Sequence, residues 1–243
     1  MNNNKHKVCF AALVLILVIA GIASAQAWEK KPYQQWSKAE VEKLLSDSPW
    51  ARQHIQHYSR GGNAGNSSSE ARRAPDLDFM VTARLRSALP IRQALVRQMQ
   101  IQSKYDKLSE AERAALDGKA KPILDCPPCG ETYAVALSSY SDQDRSVDPV
   151  YGSFRDSTFD QLKKYVFLEN DRGERRMLVD FIRPQGIGAE AVFVFAKRDP
   201  SGRPLLTADD KRLTLRFGEA TVSSLYTFEF EVRKMLLNGE VAF

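Results

Sequence analysis

Cysteine and histidine are scarce in this chain, three of each in 243 residues. Cys9 and His6 fall within the first 27 positions, so the remainder offers Cys126, Cys129, His54 and His57. A tetrahedral zinc centre of the Cys₂His₂ type would need all four of them. A large charge excess is missing too. The chain carries 35 Lys plus Arg against 30 Asp plus Glu, a formal charge of +5. That balance is too even to argue for nucleic-acid binding. The sequence has no G-x-S-x-G elbow, no phosphate-cradling loop and no H-E-x-x-H helix. Gly186-Ile187-Gly188 precedes an expected strand rather than opening a helix, so it reads as a loop. Nothing in the spacing selects a serine to work with His54 or His57. There is no internal repeat, and the one long apolar run is Val8–Ala23.

That run has the context of a secretory signal peptide. Lys5 and Lys7 precede it without a nearby acid, and Ala23-Ser24-Ala25-Gln26-Ala27 follows with small residues at two cleavage triplets. The expected cut is after Ala27, with Ala25 the alternative. The rival reading is an uncleaved inner-membrane anchor formed by residues 8–23. About 16 apolar residues fall short of the roughly 20 that span a bilayer. Cleavage would remove two lysines and no acid, leaving 33 basic against 30 acidic side chains, or +3. It would also discard Cys9 and deliver Cys126 and Cys129 to a compartment where thiols oxidise. The expected location is therefore periplasmic or secreted, with membrane association only through an uncleaved leader.

Residues 28–243 are expected to form a single domain. Ser37 and Glu40 make a capping box, and Val41, Leu44 and Leu45 line one face behind it, which predicts a helix over about 37–46. Trp36 and Val41 are placed as a hydrophobic staple. Trp50–Tyr58 reads as a strand. Residues 60–75 read as a loop rich in glycine, asparagine and serine, with an Asn66-Ser67-Ser68 sequon of no weight behind a bacterial-looking leader. Leu77, Phe79, Val81, Ala83 and Leu85 alternate with polar residues, the period of a half-buried strand. Ile91, Leu95 and Met99 recur at helical spacing, and a second capping box, Ser109 with Glu112, starts another helix. Gly118 is placed as its C-terminal cap, so the helix pair spans about 90–120.

The rest, about 132–243, reads as antiparallel strands. They are expected near Tyr133–Ser139, Lys164–Glu169, Met177–Arg183, Ala191–Lys197, Arg212–Phe217, Thr227–Arg233 and Glu240–Phe243. Asp171-Arg172-Gly173, Asp199-Pro200-Ser201-Gly202 and Asn238-Gly239 punctuate them as turns. Sequential hairpins give antiparallel pairing. The expected class is α+β, mainly β: an antiparallel sandwich or open barrel with a short N-terminal helix and an inserted helix pair.

Cys126-Pro127-Pro128-Cys129 is the strongest local motif. It fits a disulfide, free or intermolecular thiols, a redox pair, or half of a zinc site with His54 and His57. In polyproline geometry the two Cα atoms would lie about 9 Å apart. A disulfide needs them within about 7 Å. Pro128 in the third turn position disfavours the common turns, which leaves a cis Pro127–Pro128 bond as the expected route to a bridge. A thioredoxin-like pair would open a helix, whereas a strand follows here. The zinc reading suffers from geometry: spacing three puts His54 and His57 on opposite faces of a strand. Arg84, Arg86, Arg92, Arg97 and Lys104 form a basic run that could meet an anionic partner, or be the wet side of a strand and helix. Asp142, Asp144 and Asp148 fail the EF-hand pattern, with Val147 and Ser153 where Gly and Glu belong.

The segments Trp36-Ser37-Lys38-Ala39-Glu40 and Ser48-Pro49-Trp50-Ala51, with Ser87-Ala88-Leu89-Pro90-Ile91-Arg92, resemble a family of uncharacterised exported bacterial proteins. The resemblance implies export and a β-rich remainder, and it implies no activity. The expected function is a non-catalytic binding or structural module of the cell envelope whose partner is a protein or another envelope component. A thiol- or metal-dependent protein built on Cys126 and Cys129, or an enzyme with a dispersed site, is the alternative.

Overall fold

The computed structural model describes residue 28 and residues 31–58, 77–218, 226–237 and 240–243. The expected leader (1–27) and most of the expected loop at 60–75 lie outside the described residues. Helix α1 (Lys38–Ser46) starts with the expected capping box: the Ser37 hydroxyl accepts from Glu40 N, and Ser37 N donates to the Glu40 carboxylate at 2.7 Å. Its Val41, Leu44 and Leu45 are buried against the sheet and helix α2 (Leu89–Gln102). Helix α3 (Glu110–Asp125) packs on α2 and starts with the Ser109–Glu112 box.

Helix α3 does not end at Gly118. It runs on to Asp125 with Pro122 inside it, and Cys126 (φ 36°) is the cap instead. A proline cannot donate to the carbonyl four residues back and crowds it. Here that carbonyl belongs to Gly118, the exposed residue with no side chain to add to the crowding. The glycine serves the helix interior, where it accommodates a proline rather than a stop.

The strands are β1 (Ala51–Tyr58), β2 (Leu77–Leu85), β3 (Thr132–Tyr140), β4 (Val166–Asn170), β5 (Arg175–Ile182), β6 (Ala191–Ala196), β7 (Arg212–Phe217) and β8 (Phe228–Glu231). They form one antiparallel sheet in the order β1-β2-β3-β6-β5-β4-β7-β8. The sheet curls into a nearly closed barrel, the second of the two expected architectures. Side chains bridge the seam between its first and last strands. Arg52 donates to Glu229 O at 3.1 Å and pairs with Glu231 at 2.9 Å, while the His54 ring stacks on Phe228 at 4.4 Å. Strands β9 (Leu236–Leu237) and β10 (Glu240–Val241) form a separate hairpin around Asn238-Gly239, a pair that lies outside the described residues.

The barrel interior is filled from alternate strand positions, including Val81, Ala83, Leu85, Val135, Leu137, Phe193 and Phe195. Phe154, Phe193, Phe217 and Tyr226 form a ring cluster with centroids 5.2–5.9 Å apart. Two short helices escaped the sequence reading. Helix α4 (Pro149–Phe154) is capped by Asp148, and α5 (Phe159–Leu162) by a Thr158–Gln161 capping box. The Thr158–Gln161 box explains why β4 begins at Val166 and not at Lys164: the chain is still completing a helical turn, with Tyr165 N bonded to Leu162 O at 3.1 Å.

Candidate functional site

Where α3 ends, the chain turns sharply and brings its two late cysteines together. Cys126 takes a left-handed conformation and its N–H caps α3 on Pro122 O at 3.1 Å. The following 3₁₀ turn, Pro127–Gly130, is closed by Cys129 N on Cys126 O at 2.9 Å and followed by Glu131 N on Pro128 O at 3.1 Å. The two Cα atoms are 5.4 Å apart and the sulfurs are bonded as a disulfide.

The expected cis Pro127–Pro128 bond is not there, since the described residues contain no cis peptide bond. The left-handed Cys126 redirects the chain before the prolines. They then occupy the first positions of a 3₁₀ turn, where their missing N–H groups have no partner to lose. The trans route thus reaches bridging distance through a turn the sequence reading had set aside. Closing so short a loop contributes about 2 kcal/mol by chain entropy, against roughly 3 kcal/mol for a loop of about 15 residues. Cys126 is half-buried, and Cys129 is 8% exposed.

The disulfide forms part of the wall of a cavity of about 470 Å³. Ser87 and Leu89 reach it from the β2–α2 junction, Arg92 from α2, Lys197 from the end of β6, and Ala242 and Phe243 from beyond β10. Ser87 is 3% exposed, and its hydroxyl has no hydrogen-bond partner among the described residues. Arg92 uses Nη1 on Leu124 O, at the end of α3, and leaves a buried Nε unpaired. Lys197 Nζ donates to Phe243 O at 2.8 Å and lies 5.3 Å from the Tyr133 ring centre.

Burial lowers the pKa of the Arg92 guanidinium, a pull that Asp125 partly offsets. Burial also lowers that of the Lys197 amine, and the Arg92 charge lowers it further. Burial raises that of the Tyr133 phenol. Asp125 is paired with Lys121 at 2.6 Å. The wall therefore gathers two cations, the Asp125 carboxylate and a buried hydroxyl beside a sulfur pair, and Asp125 is paired with Lys121.

The other sequence candidates are dispersed. Arg84 and Arg86 converge on Glu190, at 3.1 and 2.7 Å, and burial lowers the Arg84 pKa. Arg97 donates to Trp36 O at 3.0 Å, tying α2 to the entrance of α1. Lys104 holds the left-handed bend after α2. Of the five, Arg92 alone lines the cavity. His54 faces the barrel seam, while His57 pairs with Asp78 at 2.6 Å. No group of three or more His, Cys, Asp or Glu suited to a metal occurs among the described residues, so the four candidate zinc ligands Cys126, Cys129, His54 and His57 are not brought together. Asp148 accepts from Ser139, from Tyr151 N at 3.0 Å and from Gly188 N at 2.7 Å, holding loops rather than a calcium ion's place.

Ser87 and Lys197 were absent from the sequence candidates. Each sits at the end of a strand pattern, and no local signal distinguishes it. No family model, no curated protein and no solved structure matches the chain.

Proposed function

We propose that the protein is an exported, non-catalytic binding module of the bacterial cell envelope that grips an anionic group of a protein or envelope component in the cavity between α2, the Cys126–Cys129 turn and Lys197. The observation that carries this is the cavity wall itself, where the side chains of Arg92 and Lys197 line one space of about 470 Å³. Two cations sharing one wall favour an anionic group between them. Export rests on the charged, apolar and small-residue layout of residues 1–27. No helix among the described residues is long and apolar enough to cross a membrane.

The test is a titration of isotope-labelled protein with inorganic phosphate and, separately, with a short peptide bearing a free carboxylate. Saturable amide shifts at Ser87, Arg92 and Lys197, lost in a folded Arg92→Met variant, are expected. Shifts that scatter over the surface or survive that substitution would sink the reading. Intact mass of protein recovered from an exporting cell checks the leader, and a mass retaining residues 1–27 would overturn cleavage.

A further inference from the structure

We propose that Cys126–Cys129 is an exchangeable disulfide that takes two electrons from a peptide-borne dithiol entering the cavity. Three features of the site support it. The turn is held by its own backbone bonds, Cys126 N to Pro122 O, Cys129 N to Cys126 O and Glu131 N to Pro128 O, so its shape does not depend on the sulfur bond. The two cysteines, both in the cavity wall, differ in exposure: Cys126 is half-buried and Cys129 is 8% exposed. Two cations, Arg92 on α2 and Lys197 at the end of β6, share that wall with the pair. Positive charge beside a cysteine stabilises its thiolate, which favours the reduced form and makes the disulfide a better oxidant. The acids nearby are Asp125, engaged by Lys121, and Glu131, whose charge acts on Lys197.

A substrate thiolate attacks Sγ of Cys126, the Cys126–Cys129 bond breaks, and its electron pair leaves on Sγ of Cys129 as a thiolate beside the cations. The second substrate thiol gives its proton to solvent and attacks the substrate sulfur of the mixed disulfide. Cys126 leaves as a thiolate and takes up a proton. The substrate is oxidised to a disulfide by two electrons, and the cysteine pair is reduced by two. A second, more oxidising disulfide restores the pair by the reverse exchange.

The probe is a reduced synthetic peptide with two cysteines, mixed with the folded, oxidised chain. One equivalent of peptide disulfide should form per chain, with Cys126 and Cys129 becoming alkylatable while the circular dichroism stays native. In glutathione buffers, Arg92→Met with Lys197→Met should shift the equilibrium toward the disulfide by about tenfold. Arg92→Lys with native Lys197 should restore it. Treated with glutathione disulfide, Cys129→Ser should form a mixed disulfide through Cys126 about tenfold faster than Cys126→Ser does through Cys129. A pair that resists reduction until denaturant unfolds the chain would overturn the proposal, as would an equilibrium unmoved by loss of both cations. If a variant fails to fold, the wild-type exchange decides alone. The proposal departs from the non-catalytic reading above and does not rest on its anionic ligand: phosphate can fail to bind while exchange still proceeds.

Discussion

The Ser87 hydroxyl sits under the β2–α2 junction at 3% exposure, where water does not reach it and no described group bonds it. A buried donor in that state carries a desolvation cost of about 1–3 kcal/mol. Without a ligand, Ser87→Ala should therefore raise unfolding stability by about 1 kcal/mol, read as a higher midpoint in urea at unchanged slope. A lower midpoint would mean that the hydroxyl already has a partner. Arg92 differs, because its Nη1 anchors the last turn of α3 through Leu124 O while its Nε stays unpaired. One guanidinium thus positions the cysteine turn and also faces the cavity. The residues that make this site come from positions 87, 92, 126, 129 and 197, on four different elements or junctions. Cys126 and Cys129 were legible as a pair because they are neighbours in sequence. Ser87 and Lys197 were not, because their burial and lost partners arise only when the sheet and helices pack.

At the scale of elements, the capping boxes at Ser37 and Ser109 are where local sequence determined local structure. Glu40 bonds Ser37 N and Lys31, and Glu112 bonds Ser109 N and its hydroxyl at 2.8 and 2.7 Å. Burial pushes the Glu40 carboxyl up, but its bonds to Lys31 and Ser37 outweigh that and hold it below the ordinary 4.5. The Ser109 hydroxyl and N–H hold Glu112 below 4.5 as well. A carboxylate depressed in the fold contributes stability that is complete above its unfolded pKa and is lost as pH falls through the folded one. Stability should therefore decline as pH drops below about 4.5, with a shallower decline in Glu40→Gln with Glu112→Gln. Thermal melts from pH 6 to pH 2 would check it, and parallel curves would refute it. These two helix starts were readable because each box is followed by a helix of nine or more residues, whereas the Thr158–Gln161 box opens only the four residues Phe159–Leu162. The end of α3 was misread because a glycine is ambiguous: it suits a left-handed cap, and it equally suits the turn facing Pro122. Cys126, which took the cap, offers no sequence signal for that conformation.

Over the whole molecule, the sheet's two end strands meet without a shared ladder of backbone bonds. Arg52 spans the gap to Glu229 O and the Glu231 carboxylate, and His54 stacks on Phe228. Arg52→Met should cost about 1–2 kcal/mol and raise hydrogen exchange in β1 and β8 while leaving β3 and β6 protected. Uniform loss of protection would show that the barrel does not loosen at this seam first. The eight strands of the barrel and their antiparallel pairing were foreseeable, while the short strand Leu236–Leu237 was not. The ring order was not, because β3 pairs with β6 and β4 with β7 across intervening hairpins.

That seam also sets a clock. Arg52 and Glu229 are 177 residues apart in the chain. At a synthesis rate of about 5–20 residues per second, the gap between their emergence is roughly 10–35 s. Throughout that interval the first strand has no neighbour across the seam. The nascent chain must therefore be shielded, or remain unstructured there, until its far end arrives.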